Sequence, residues 1–443
     1  MTRSTVPFSA TLKQPPPDDG DRPVLRCPTN PTHDFSDPTD EPMSASDENP
    51  AVPDQHLGDS TQAVHAGQER LKFGKSVTEP IAQTATYVFD SLNEFEEYKQ
   101  GKRSHFEYGR YGNPTVSTAE SKLAALDHAE SALLFSSGMS AITTVLFAML
   151  RSGQHIIIME DCYRRTVQFC DLLGKFGIES THVPPSDLAA LEKAVRPETR
   201  VLLAESPTNP HLHVADLEKL VPFAREHRLR VLIDSTFATP VNQCPLDYGV
   251  DLVFHSCTKY LGGHNDLMAG SVCGRAGIIS AVKEFRDVIG TNTDPNTAWL
   301  LIRGLKTLAL RMAQQNATTQ TIAEYVEAHP KVSRVFYPGL ESHPDHEVAR
   351  AQMNGYGGVV SFEIEGDLAR TRQFVESLKI PYLAPSLGGV ETLVSHPATV
   401  SYSDLSREDR LEIGITDQLV RYSVGIEDCA DLIADIEQSL AGI

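Results

Sequence analysis

Short, almost wholly apolar runs recur through the middle of the chain, separated by stretches whose apolar positions return every three to four residues. SALLFSS (131–137), HIIIME (155–160), RVLLAES (200–206), RVLIDS (230–235) and DLVFHS (251–256) are of the first kind, and DLEKLVPFAREHR (216–228) of the second. A strand buried on both faces reads as a continuous apolar run, whereas a helix packed on one side repeats near 3.6 residues. Their alternation predicts an α/β fold, a mostly parallel sheet covered by helices on both faces. A helical stretch from about Trp299 to Glu327 then leads into YPG (337–339), GGVVSFEIEG (357–366) and VRYSVGIED (420–428), alternating with helices such as ARTRQFVESLK. That predicts a smaller α+β domain from about residue 310.

Composition changes this picture at one end. Eleven of the 28 prolines fall in the first 53 positions, as in KQPPPDDGDRP, and acidic residues outnumber basic ones there. Such a segment buries too little apolar surface to offset its conformational entropy, so residues 1–57 are expected to be a disordered acidic tail. The expected organisation is then an N-terminal arm over 58–115, a cofactor-binding α/β domain over 116–310 and the C-terminal domain over 311–443. A net charge of -20 argues against nucleic acid as a partner. No apolar run approaches a membrane span, and no secretory signal pattern opens the chain. The seven cysteines show neither a CxxC pair nor a metal-like spacing, which suggests reduced thiols, a cytoplasmic location and no metal.

The chemistry concentrates where the strands end. In open α/β sheets, ligands gather at the C-terminal ends of the parallel strands. No GxGxxG follows a strand, so a nicotinamide or flavin site lacks its main support. Ser136, Ser137, Gly138 and Met139 close the first run and open a helix, whose free N–H groups make either an anion site or an ordinary serine-capped start. Ser256 and Thr258 offer hydroxyls to the same anion, or serve a turn. Asp234 either caps a loop or holds a proton on a heteroaromatic nitrogen. Lys259, one strand further on, offers an amine for covalent attachment of a carbonyl cofactor. Tyr163 offers a flat face for stacking, or packs in the core. Phosphate cup, ring-nitrogen acid, stacking aromatic and lysine amine together describe a pyridoxal-phosphate site.

Those residues lie in seven motifs. HSCTKYLGGHND (255–266) resembles the cofactor-lysine motif of the cysteine/methionine metabolism (transsulfuration) pyridoxal-phosphate enzymes. EYGRYGNPT (107–115), SSGMSA (136–141), ESPTNP (205–210), DSTFATP (234–240), SLGGVETL (386–393) and VRYSVGIED (420–428) resemble that family in the same order, over about residues 60–443. The resemblance implies an aspartate-aminotransferase-like fold (fold type I) and a homotetramer built from intimate dimers. It implies that Lys259 binds pyridoxal 5'-phosphate covalently and then carries protons, with Tyr163 stacked on the ring and counted beside it among the catalytic residues. Asp234 would face the pyridinium nitrogen and Asn209 the 3-hydroxyl. Ser137, Gly138, Met139, Ser256 and Thr258 would hold the phosphate, joined by Tyr108 and Arg110 from the neighbouring subunit. Arg421 would clamp the substrate α-carboxylate, a bidentate task suited to guanidinium, with Ser386 nearby.

Within the family, many lyases follow the stacking tyrosine with glycines, whereas here Arg164 and Arg165 follow Tyr163. With RGLKTL (303–308), this pattern most resembles the plant-type cystathionine γ-synthases. The implied reaction is γ-replacement: an anionic group leaves Cγ of an O-phospho-, O-succinyl- or O-acetyl-homoserine, and cysteine sulfur takes its place. Arg165 would grip that leaving group; Arg164 either shares the task or pairs with an acid. Glu391 lies where the family separates γ- from β-chemistry. A cystathionine or methionine γ-lyase, an O-acetylhomoserine sulfhydrylase and a non-catalytic cofactor-binding paralogue are the alternatives.

Overall fold

All five apolar runs form strands, each ending within four residues of the reactive side chains that follow it. The computed structural model describes residues 57–443 except 71 and 186, so the expected acidic tail, but for residue 57, lies outside the described residues. Seven strands make the larger sheet: β1 (Ser131–Phe135), β2 (His155–Met159), β3 (Glu179–Val183), β4 (Thr199–Glu205), β5 (Arg230–Asp234), β6 (Leu252–His255) and β7 (Gly270–Gly274). Their order is β1-β7-β6-β5-β4-β2-β3. From β6 to β3 every pairing is parallel, and β7 runs antiparallel to both β1 and β6. The parallel strands therefore end on one edge.

Two of these strands escape the apolar-run pattern. ESTHV in β3 is a half-exposed edge, and GSVCG in β7 begins and ends on glycine. Gly270 is needed there, because a Cβ would fall 2.2 Å from the Ser137 carbonyl oxygen. β7 is thus pressed against the start of the helix Gly138–Met149, whose first turn Ser137 caps by accepting the Ser140 N–H at 3.0 Å.

The second sheet has five strands, β8 (Val332–Phe336), β9 (Val359–Ile364), β10 (Tyr382–Leu383), β11 (Leu393–Ser395) and β12 (Leu419–Ser423), in the order β10-β11-β12-β9-β8. All its pairs are antiparallel except β10 with β11. The helical stretch expected over 299–327 is two helices, Pro295–Leu305 and Leu308–Glu327. They part because Arg311 reaches back to the Gly304 carbonyl at 2.9 Å and to the Tyr260 carbonyl at 2.7 Å. The first bond satisfies an oxygen at the first helix's end, and the second locks that end onto the loop after Lys259. One apolar core joins Leu134 of β1 to Val360 and Phe362 of β9 and Val420 of β12, so the two sheets share packing. Among the described residues no helix is long and apolar enough to cross a membrane.

Candidate active site

Past β6 the chain folds into a tight coil: the Lys259 N–H donates to the Ser256 carbonyl at 3.0 Å, and Gly263 donates to the Lys259 carbonyl at 2.7 Å. This turns the lysine side chain inward, where its Nζ donates to the Ser386 Oγ at 2.5 Å. Burial, and then the charge of Arg421, lower the Lys259 amine to about 8. Arg421, on β12, is itself buried and donates through Nη2 to the Ser386 carbonyl at 2.7 Å and through Nη1 to Asn209 Oδ1 at 3.1 Å. Its Nε is buried with no partner among the described residues. Burial pulls the guanidinium down to about 10, which leaves it charged at neutral pH. Ser386 holds a φ of 107°, outside the range a non-glycine residue usually adopts.

Asp234 ends β5, next to β6. Its Oδ1 accepts the Thr236 hydroxyl at 2.5 Å and the Thr236 N–H at 3.1 Å. Burial raises the carboxyl above the usual carboxylate range, and the two Thr236 bonds oppose that rise. The Thr236 hydroxyl also accepts the Ser256 N–H at 2.8 Å. Ser256 in turn touches the helix start: a Cβ on Gly138 would lie 3.1 Å from the Ser256 Cβ. The Ser256 side chain therefore packs against the first turn at Gly138 and Met139. The N–H groups of that turn precede the helix's own hydrogen bonds.

Tyr163, at the N-terminus of the helix Arg164–Leu172, is 45% exposed, so its ring is open to a ligand. Its N–H donates to Glu205 Oε2 at 2.5 Å. Glu205 and Asp234 are partners in the parallel register of β4 and β5 and point to the same side. Burial, and then Asp234, push Glu205 well above the usual carboxylate range. Asp161, two residues before the tyrosine, is raised by burial to about 6, with His213 pulling the other way.

The two arginines after Tyr163 differ. Arg164 pairs with Asp404 at 2.7 and 3.1 Å, whereas Arg165 is exposed, donates to Gln168 at 2.7 Å and forms no ion pair among the described residues. The Thr258 hydroxyl donates to the Ala269 carbonyl at 3.2 Å and accepts its N–H at 3.1 Å, so its proton is already in use. Arg110 donates to the Asp287 carbonyl and, at 3.2 Å, to the Tyr111 hydroxyl, while Tyr108 is 43% exposed. Glu391 is exposed and accepts Asn265 at 2.7 Å, which ties it to the glycine loop after Lys259 and not to Arg421. Three residues stand in the site without a role assigned from the sequence: Thr236, Glu205 and Tyr402. Only Thr236 carried a signal, as a hydroxyl two residues after an aspartate. Tyr402 donates to the Asn209 carbonyl at 3.3 Å, from a loop far along the chain.

The donor set fits pyridoxal phosphate. A half-buried carboxyl with one oxygen taken by Thr236, a glycine-lined cup at a helix start, a buried amine and an orphaned guanidinium nitrogen are complementary to ring nitrogen, phosphate, aldehyde carbon and substrate carboxylate. A mixed, mostly parallel sheet with such a set at its strand ends is the plan of a fold type I pyridoxal-phosphate enzyme. The chain belongs to the Cys/Met metabolism PLP-dependent enzyme family, whose profile matches residues 60–441. It is 49% identical to cystathionine gamma-synthase 1, chloroplastic, of Nicotiana tabacum over 390 residues, 87% of this chain and 72% of that one. It is 40% identical to L-methionine gamma-lyase of Pseudomonas putida over 86% of this chain and 97% of the other. The crystal structure of cystathionine gamma-lyase from Lactobacillus plantarum complexed with L-serine superposes with a TM-score of 0.81 at 37% identity, covering 87% of this chain and 99% of that one.

Proposed function

We propose that this chain is a transferase of methionine biosynthesis that joins an activated homoserine ester to cysteine, giving cystathionine. The observation that carries the reading is the gradient of likeness, 49% identity to a γ-synthase against 40% to a γ-lyase over the same span. The free Arg165 beside Tyr163 supports it, since a synthase must hold an anionic leaving group.

Bound pyridoxal phosphate supplies an electron sink conjugated to the substrate Cα. Lys259 would hold the cofactor covalently and, once free, would move the proton at Cα; an amine lowered to about 8 exchanges protons readily near neutral pH. Asp234 would hold the ring nitrogen, Tyr163 the ring and Asn209 the ring hydroxyl. Ser137, Gly138, Met139 and Ser256 hold the phosphate, and Thr258 joins them only by leaving Ala269. Arg421 takes the α-carboxylate with the Nε that has no partner of its own. Arg165 takes the departing anion. Glu391 acts through the Asn265 loop.

Tyr108 and Arg110 reach the phosphate of a neighbouring subunit in a homotetramer. Exposed Val77, Val88 and Leu92 on the same arm, each more than 80% open, support a covering partner. An arm over 58–115, a cofactor domain over 116–310 and a C-terminal domain over 311–443 make up the proposed organisation; that β1–β7 lie in the second span and β8–β12 in the third supports it. Six free cysteines among the described residues support a reducing, cytoplasmic setting.

The test is a kinetic comparison of the purified holoenzyme with O-phospho-, O-succinyl- and O-acetyl-homoserine, each with cysteine. Rapid cystathionine formation from one ester is expected. Faster release of 2-oxobutyrate from cystathionine would favour a lyase, and preference for sulfide over cysteine a sulfhydrylase.

A further inference from the structure

Away from the strand ends, three side chains of different chemistry converge. His128 follows the helix Pro114–Leu126, and Cys244 and Asp247 come from the short 3-10 turn Pro245–Tyr248 and the residue before it. Their ligating atoms (imidazole nitrogen, thiol sulfur and carboxylate oxygen) all lie within 4.8 Å of one another. His128 Nδ1 is 3.0 and 3.1 Å from the two oxygens of Asp247. Asp59 and Gln62 stand on the wall of the same recess, a cavity of about 210 Å³. We propose that His128, Cys244 and Asp247 form a binding site for a single thiophilic divalent cation, of which Zn2+ is the best match.

The donor chemistry selects the ion. Nitrogen, sulfur and carboxylate oxygen are the three protein donors of zinc sites, whereas calcium and magnesium take oxygen alone. With metal–donor bonds of about 2.0–2.3 Å, tetrahedral ligands stand roughly 3.5 Å apart, so the cluster closes around an ion by about 1 Å of side-chain movement. Three protein donors leave the fourth position to water, and the recess has room for it, with Asp59 on its wall. The side chains of His128 and Asp247 are 48% and 53% exposed, which gives the ion an entry path.

A surface His–Asp ion pair alone would account for two of the three residues. It leaves unexplained the thiol, whose own contacts are weak ones, to the Pro240 carbonyl at 3.3 Å and the Leu126 carbonyl at 3.7 Å. His128 also holds a left-handed φ of 55° just past a helix end, a place that favours glycine, and so keeps its ring against Asp247. On binding, the cation sheds waters and takes Sγ, Nδ1 and one carboxylate oxygen, and the Cys244 thiol proton passes to solvent with no change of oxidation state. The ion would tie the end of the helix Pro114–Leu126 to the turn before β6. Asp127, next to His128, already pairs with His255, the last residue of that strand, at 3.0 Å.

The experiment uses tag-free holoenzyme, stripped with a chelator and titrated with Zn2+ against a chromogenic competitor, and separately with Co2+ under an absorption spectrometer. One Zn2+ per chain is expected, bound at least about tenfold more tightly than by H128A or D247N. Co2+ is expected to give a thiolate charge-transfer band that C244A lacks. The half-exposed positions of His128 and Asp247 make their variants safe for folding, so those two decide the matter even if C244A proves unstable. Absence of stoichiometric Zn2+ binding by the wild-type chain at micromolar metal, or undiminished binding by the H128A/D247N double variant, overturns the proposal.

Discussion

Lys259 Nζ donates to Ser386 Oγ at 2.5 Å, while the carbonyl of the same serine accepts Arg421 at 2.7 Å. One residue with a φ of 107° thus joins the proposed cofactor amine to the proposed carboxylate clamp. In the cofactor-free chain the amine should titrate near 8. Ser386→Ala removes an acceptor from the ammonium form and should move that titration lower. The pH dependence of pyridoxal-phosphate uptake measures it, and an unmoved or higher midpoint would contradict the reading. Lys259→Ala should abolish turnover altogether.

Burial and Asp234 favour the neutral form of Glu205, whose Oε2 accepts the Tyr163 N–H. Glu205→Gln should leave kcat within a few-fold, because an amide oxygen still accepts the Tyr163 N–H. Glu205→Ala leaves that buried N–H unpaired and should destabilise the fold by about 1–3 kcal/mol. Denaturant titration and steady-state kinetics of the two variants make the comparison; equal damage by both would show that the carboxylate charge matters.

Arg421→Lys keeps a cation but loses the planar fork that serves Asn209, Ser386 and the free Nε. The KM for the amino-acid substrate should rise about 10–100-fold, the equivalent of one charge-assisted hydrogen bond, with a smaller fall in kcat. A variant that lowers kcat alone would remove Arg421 from substrate binding.

Thr236→Val has nearly the shape of threonine and removes both the donor to Asp234 and the acceptor for Ser256. Pyridoxal-phosphate affinity should fall about 10–100-fold, as second-sphere losses do in comparable sites. Equilibrium dialysis of the cofactor reads the effect directly.

Lys122 is fully buried, and its Nζ donates to the Ala63 and Val64 carbonyls at 2.8 and 3.1 Å, in the last turn of the helix Asp59–His65. Burial lowers the amine from 10.5 to about 7. Between those values the unfolded chain holds a proton that the folded chain has released, so this residue makes stability rise with pH across the window. The slope is at most about 1.4 kcal/mol per pH unit and vanishes below pH 7. Lys122→Met should flatten that part of the stability–pH curve, measured by denaturant titration from pH 6 to 10.

The parallel core of the fold was legible because strands buried on both faces cannot hide their apolar runs. β3 and β7 were not: an edge strand needs no such run, and β7 is shaped by the close approach of Gly270 to Ser137. The Trp299–Glu327 stretch was legible as helix but not as two, since the break comes from Arg311 gripping carbonyls from elsewhere. In the candidate site, the residues at strand ends could be read from position. The Glu205–Tyr163 bond, the Tyr402 contact and the Arg164–Asp404 pair join segments 42 to 240 residues apart, distances no local pattern reports.

The pairing of charges at the strand ends has an electrical consequence. Asp404 cancels Arg164, while Arg421 and Arg165 form no ion pair among the described residues. A chain of net charge -20 therefore carries two guanidinium groups without a carboxylate partner at its strand ends. Those two cations offer an approaching anion a local attraction against the repulsion of an acidic chain. That attraction is steep at low ionic strength and shallow once salt shortens its reach.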